Sequence, residues 1–569
     1  MPDSAAPGER GAVLTTLQPW VAGTCLALAG CGTTAPDDPS AGAAEAPWFE
    51  EVASARGLGF RHESGHRDRH WLPEIIGGGA ALFDMDGDGD LDAYFVQSGG
   101  LVDPPSRRAG NQLLVNLGEG TFRDVTAGSG AADRGYGMGV AAGDYDQDGD
   151  PDLYVTNVGP NVLLRNDGAG RFTDMTVAAG VGDPGWGASA GFVDHDADGD
   201  LDLFVTNYLN WSVDTELICL GPQGGADYCS PLTQHPLADV LFRNDGDGTF
   251  TDISTSAGLH ATFGNGLGLV LGDFDGSGTP DIFVANDKMP NQLWLNRGDG
   301  QFEDHALVAG VGVDLDGQAK AGMGVDAVDL DNDADLDLIV VNLRGESDSV
   351  YRDQGDFFSD DTIAIGLRVS SRRFTRFGLG IHDFDNDGRL DLYEASGRID
   401  RQGVPFASDA YAEPNLLFRG LPNGRFAEVT PPGGTHGVLA ATSRAAVFGD
   451  IDNDGGIDIV VVNRDAPAHL LRNIAPRRGH WITLRVTETT GGDALGASVR
   501  FSAGGQRIRR DVKPAYSYLA SNDPRVHVGL GSATGITDVT VRWVDGTVEL
   551  FGDVDADQIV TLRRGNGRP

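Results

Sequence analysis

The phrase D-x-D-x-D-G-x-x-D and close variants of it occur seven times, placing carboxylates on alternate residues of a short loop. In the first copy these are Asp84, Asp86, Asp88, Asp90 and Asp92. The second holds Asp144, Asp146, Asp148, Asp150 and Asp152, and the third Asp194, Asp196, Asp198, Asp200 and Asp202. The fourth has Asp273, Asp275, Ser277, Thr279 and Asp281, and the fifth Asp329, Asp331, Asp333, Asp335 and Asp337. The sixth reads Asp383, Asp385, Asp387, Arg389 and Asp391, and the seventh Asp450, Asp452, Asp454, Gly456 and Asp458. A hard cation such as Ca²⁺ takes about six to eight oxygens at forgiving distances, and carboxylates at this spacing can converge on it from one loop. The first, third, fifth and ninth positions are the expected side-chain ligands, and the seventh offers its backbone carbonyl. Glycine at the sixth position makes a turn that other residues adopt only at a cost.

A single copy would read as an Asp-Gly turn of the kind common between strands. Seven copies in register read as metal loops, because carboxylates packed this closely repel one another until a cation neutralises them. Ser277 removes a carboxylate from the fourth copy and Ala334 replaces the turn glycine of the fifth, so weaker binding is expected at those two. Each phrase leads into a β-branched or aromatic run and lacks the bidentate Glu of a helix–loop–helix site. Such loops stiffen a fold at extracellular calcium and do not switch it.

The acids outnumber the bases by 84 to 42, a net charge of -42, which repels nucleic acid and attracts cations. Hydrophobic residues at 40% and the regular placement of the acids argue against disorder. Ahead of each Asp phrase stands a Gly/Ala-rich apolar run. After most copies comes a second phrase, such as Asn111-Gln-Leu-Leu-Val-Asn116 followed by Phe122-Arg-Asp124, or Asn161 to Asn166 followed by Phe172-Thr-Asp174. Short runs around a glycine-containing turn read as a hairpin. With the runs flanking the Asp loop, that makes four strands per repeat, at spacings of roughly 50 to 80 residues. After the last Asp loop Ala468 to Asn473 is present, but the final short strand is missing and stands at the other end of the chain, as Trp48 to Val52. The expectation is an all-β seven-bladed β-propeller over 48–473, closed by its two ends, followed by a small all-β domain over 474–566.

These repeats resemble the FG-GAP and VCBS repeats of integrin-α-type propellers. The segments Gly479 to Val486, Ala494 to Arg500, Tyr518 to Gly531 and Val541 to Gly546 resemble the ASPIC/UnbV domain of the cartilage acidic protein 1 family. The resemblance implies a secreted calcium-binding protein and carries over no catalytic residue.

The apolar stretch ending Leu28-Ala29-Gly30-Cys31 resembles a bacterial lipoprotein signal over 1–31, with Cys31 as the lipidated residue and 32–47 as a flexible linker. Export to the cell envelope or exterior follows, with the membrane reached only through the lipid. Cys219 and Cys229 would then be left to form one disulfide, although two free thiols remain an alternative. His62, His66 and His70 lie in a loop-like stretch and are not read as zinc ligands, Gly77 to Gly79 read as a close-packed strand entry, and Arg372, Arg373 and Arg376 read as a surface cluster. No nucleophile–base motif is present. The functional expectation is a binding or adhesion module for a protein or glycan partner. The alternative is an exported enzyme acting on a polysaccharide or secondary metabolite at the central channel.

Overall fold

The computed structural model describes residues 46–401, 403–476 and 478–569. The expected leader, Cys25 and the lipidation at Cys31 lie outside the described residues. Within them, seven four-stranded antiparallel units recur, each built from one copy of the repeat. In the first, strand Ala80–Phe83 runs into the Asp loop, and strand Asp92–Phe95 returns from it. Strands Gln112–Asn116 and Phe122–Asp124 complete the sheet as the hairpin read from the second phrase. The seventh sheet is completed by the other end of the chain, as expected: Phe49–Glu51 pairs with His469–Asn473, with Phe49 opposite Asn473.

The first strands of successive sheets lie side by side in a closed ring, from Ala80–Phe83 through Gly137–Gly143, Gly187–Val193, Gly266–Gly272, Val325–Val328 and Arg376–His382 to Ser443–Gly449 and back. Side chains are crowded out where these strands converge. A Cβ on Gly79 would come within 2.6 Å of the Met138 carbonyl oxygen, and one on Gly324 within 2.2 Å of that of Phe377. The Gly/Ala-rich runs are therefore a packing requirement.

Residues 474–569 form a three-stranded and a four-stranded sheet. Between strands Gln506–Asp511 and Val526–Gly531, the chain leaves these sheets and enters the axis of the ring. Ala520–Ser521 adds to the first sheet as a parallel fifth strand. Ser517 exchanges backbone hydrogen bonds with Val325, and its Oγ accepts from Leu379 N and donates to the Ala446 carbonyl. Leu519 N donates to Ser189 Oγ, and Ala142 N to Ser521 Oγ. Ala515 packs against Leu269 and Leu271 of the fourth sheet. One segment thus touches the first strand of every sheet. Tyr518, fully buried, donates from its hydroxyl to the Ile76 carbonyl, 3.1 Å away, so the short helix Pro73–Ile76 lies beyond it. The core is continuous across the axis, where Ile76, Met138, Met323, Phe377 and Leu519 belong to one cluster.

The expectation for Arg376 is corrected. It is fully buried, with Nη2 2.7 Å and Nε 3.0 Å from Asp348 Oδ1 and Nη1 on the Leu343 carbonyl, while Arg372 and Arg373 are exposed. No helix among the described residues is long and apolar enough to cross a membrane.

Because the axial segment joins the two parts, replacing Tyr518 by Ala should cost about 3–5 kcal/mol, the range for a large buried aromatic. Urea unfolding should report this as one transition at lower denaturant, with the ring and the C-terminal sheets unfolding together.

Candidate metal loops and the opposite face

The seven Asp loops share one construction. The first-position carboxylate is wrapped by its own loop: Asp84 Oδ1 accepts from Asp88 N and Oδ2 from Gly89 N, at 3.1 Å each. The ninth-position carboxylate is buried and doubly held. Asp92 Oδ2 accepts from Met85 N at 3.0 Å, and Oδ1 from Asn116 N at 2.7 Å. The same pair of bonds recurs at Asp152, Asp202, Asp281, Asp337, Asp391 and Asp458. Position nine therefore ties the loop to the third strand of its own sheet, in addition to facing the loop interior.

In five sheets the third strand ends in an Asn whose amide reaches the loop of the adjacent sheet. Asn116 donates to the Ile451 carbonyl, Asn166 to Met85, Asn244 to Tyr145, Asn296 to His195 and Asn473 to Phe384, at 2.7–2.9 Å. Asp353 and Gly420 take this place in the fifth and sixth sheets. The recurrence of this Asn was visible in the repeat, but its reach between sheets was not.

Carboxylates of the first, third and ninth positions lie within 4.8 Å of one another in Asp84/Asp86/Asp92, Asp144/Asp146/Asp152 and Asp273/Asp275/Asp281. Asp194, Asp196 and Asp198 do so in the third loop, where His195 Nδ1 also bonds Asp202. Asp194 Oδ1, Asp273 Oδ1 and Asp385 Oδ1 are buried acceptors with no protein donor. Several loops can therefore hold a metal ion, and their oxygen-only donor sets suit a hard one. Ala334 adopts φ 79, the left-handed conformation of its glycine counterparts, at a cost of about 1–2 kcal/mol.

The C-terminal sheets cover this face. Arg485 Nη1 lies 3.3 Å from Asp84 Oδ2, Arg509 Nη1 donates to the Ala334 carbonyl, and Arg525 Nη2 donates to that of Asp450. Gly479 N and Gly531 N donate to the Asp385 and Asn386 carbonyls of the sixth loop.

The opposite edges of the sheets carry the longer connections. One holds Cys219 and Cys229 joined in a disulfide. Asp227 beside it accepts from Tyr411 Oη at 2.7 Å and from Arg401 N at 3.0 Å, joining it to a connection of the sixth sheet. Nearby, His66 Nδ1 lies 2.6 Å from Oε2 of the buried Glu74, whose other oxygen has no partner. His70 packs between His66 and Tyr228, and Tyr228 Oη accepts from Arg464 Nη1 at 3.0 Å. His62 lies apart, bonded to Ser98 Oγ at 3.0 Å, its pKa lowered to about 4 by burial. The sequence offered no signal for Glu74, whose His66 partner lies eight residues away in an irregular stretch, or for Tyr228, whose Arg464 partner comes from a distant sheet.

FG-GAP-like repeats match residues 84–155, 145–205, 214–284, 273–340 and 383–461, more than half of the chain. The chain belongs to the FG-GAP repeat family. Residues 487–569 match the ASPIC and UnbV domain. Cartilage acidic protein 1 of Xenopus tropicalis is 25% identical over 323 residues, covering 52% of this chain and 44% of that protein. Its Homo sapiens counterpart is 26% identical over 325 residues, covering 52% and 43%. This FG-GAP chain thus spans less than half the length of the curated relatives it matches. Among solved structures, a Burkholderia pseudomallei lectin aligns with a TM-score of 0.43 at 12% identity, covering 70% of this chain and 97% of that one. An Agrocybe aegerita lectin that recognises non-reducing terminal N-acetylglucosamine aligns with a TM-score of 0.36 at 17% identity, covering 69% and 86%.

Two expectations follow for the FG-GAP loops. Replacing Asn166 by Ala leaves the buried Met85 carbonyl without its donor and should cost about 1–3 kcal/mol by denaturant unfolding. The second concerns pH. Burial raises Asp92 to about 8, Asp152 to about 9 and Asp281 to about 8, with neighbouring carboxylates adding to the rise and backbone donors opposing it. Values raised on folding mean that the metal-free fold gains stability as the pH falls through them, fully so below the unfolded carboxylate value of about 4. A bound cation reverses the sign, because protons must leave before it enters. Scanning calorimetry from about pH 9 to about pH 6 should show the melting temperature rising in chelator and falling in saturating calcium.

Proposed function

We propose that the chain is an exported, seven-bladed FG-GAP β-propeller whose Asp loops hold Ca²⁺, and that it binds a protein or glycan partner through the face opposite those loops. The observation that carries this reading is the placement of the C-terminal residues. They cover the Asp-loop face with Arg485, Arg509 and Arg525 and fill the axis with Ser517 to Ser521. The opposite face is left for a partner, and it presents exposed Leu217, Ile218 and Leu220 on the disulfide-closed connection, and Val404 and Phe406 on the connection of the sixth sheet that Arg401 and Tyr411 bond to it. Calcium acts here as a stiffener that keeps the sheets in register. Export rests on the lipoprotein-like leader and the disulfide, which persists only in an oxidising compartment.

The test is a screen of the leaderless protein in calcium against glycan arrays and cell-envelope protein fractions. Ile218→Asp and Phe406→Asp should each abolish the interaction without lowering the melting temperature. A partner whose binding survives both substitutions but is lost on charge changes at exposed Asp-loop residues would sink the reading.

A second reading, an enzyme at this same face, is favoured by one observation. Glu74 is a buried carboxylate set to hold Nδ1–H of His66 and leave its Nε2 as a base. Polysaccharide turnover that His66→Ala abolishes without affecting partner binding would establish it.

A further inference from the structure

The seven Asp loops are not equally open to an ion from solution. In each sheet one residue of the third strand stands just before the strand's last residue, directly after a pair of apolar positions. It is Val115 and Leu295 in the first and fourth sheets and arginine in the rest: Arg165, Arg243, Arg352, Arg419 and Arg472. The residue two positions further on decides where the guanidinium turns. Asp167 takes Arg165, with Nη2 2.6 Å from Oδ1, and Asp245 takes Arg243 at 2.7 Å. Asp146 of the second loop is then 4.0 Å from Arg165.

In the fifth and seventh sheets that residue is Gln354 or Ile474, which offers no charge. Arg352 instead folds onto its own loop, with Nη1 2.6 Å from Asp331 Oδ2 and 3.3 Å from Asp337 Oδ2. Arg472 does the same, with Nε 2.7 Å from Asp452 Oδ2 and Nη2 3.6 Å from Asp454 Oδ2. Arg478 adds a two-pronged contact to Asp454, at 2.7 and 2.9 Å. In these two loops, a pair of expected ligand carboxylates is thus already matched by positive charge. The buried acceptors without donors fall in the third, fourth and sixth loops and not in these two. In the first and sixth loops a guanidinium meets one expected ligand only, Arg485 at Asp84 and Arg389 at Asp387, and Asp385 of the sixth keeps an oxygen without a donor, so both loops stay open.

Resting on the calcium reading above, we propose that arginine side chains of the chain itself replace the ion in the fifth and seventh loops, so that the fold takes five calcium ions. A divalent cation entering either loop would have to displace a guanidinium already bonded to its ligands. The fourth loop, although it has Ser277 in place of a carboxylate, remains an ion site, whereas the fifth owes its loss to Arg352 more than to Ala334.

The stoichiometry tests this directly. Native mass spectrometry of the leaderless full chain, stripped with chelator and reloaded with calcium, should count five ions. Arg352→Gln should raise the count to six, and Arg472→Gln combined with Arg478→Gln should also raise it to six. Gln354→Asp, a change at an exposed position, gives Arg352 the partner that Arg165 has in Asp167 and should also open the fifth loop, again giving six. A wild-type count of seven, or a count of five that no variant raises, overturns the inference while leaving calcium binding intact. A count of zero overturns both.

Discussion

Each repeat is organised by one buried carboxylate. The ninth aspartate of the loop accepts from the backbone of its own loop and from the backbone of the third strand, and it does so in all seven sheets. A carboxylate with both oxygens bonded to N–H groups fixes two segments at once, and it cannot be replaced by an apolar residue without stranding buried donors. Everything above it follows from that restraint. The loop is held closed so that its other carboxylates face one another, and the third strand is held where its Asn can reach the neighbouring loop. The clustering of the loop carboxylates and the closure of the ring therefore share one anchor.

The cost is electrostatic. Burying carboxylates among carboxylates raises their proton affinity, as at Asp152, and leaves a metal-free fold that charge repulsion works against. Three sources of compensation are chemically open to such loops: protons, a hard cation, or the chain's own guanidiniums. Arg352 and Arg472 belong to the last class. The C-terminal sheets add more, since Arg485, Arg509 and Arg525 reach the same loops from above. That arrangement makes the loops an interface inside the molecule and moves the free surface to the other side of the ring.

Much of this architecture was legible in the residues. The Asp phrase, the hairpin that follows it and the displaced strand at Phe49–Glu51 were all recoverable because each depends on a short, repeated pattern of residue types. The candidate ligands were legible for the same reason, since alternate positions in one loop are neighbours in any fold. Less could be read where one residue type serves two purposes. Arg376 belongs by sequence to a basic surface run, yet it is buried against Asp348 because the strand it starts turns inward. His66 and Glu74 are only eight residues apart, but their pairing depends on Tyr228 and Arg464 from other sheets closing around them.

By itself the sequence determined the repeat unit, its number and the clustering of its carboxylates, because these rest on local spacing within each loop and on hydrogen bonds within one repeat. Only the tertiary structure decided which face is free. The segment around Ser517 to Ser521 looks in sequence like a connection within a small β domain, and it shows no polarity pattern that marks it as a core element. Its place on the axis arises because seven glycine-lined first strands leave a space with unpaired backbone donors and acceptors, and a chain rich in small hydroxyl side chains satisfies them.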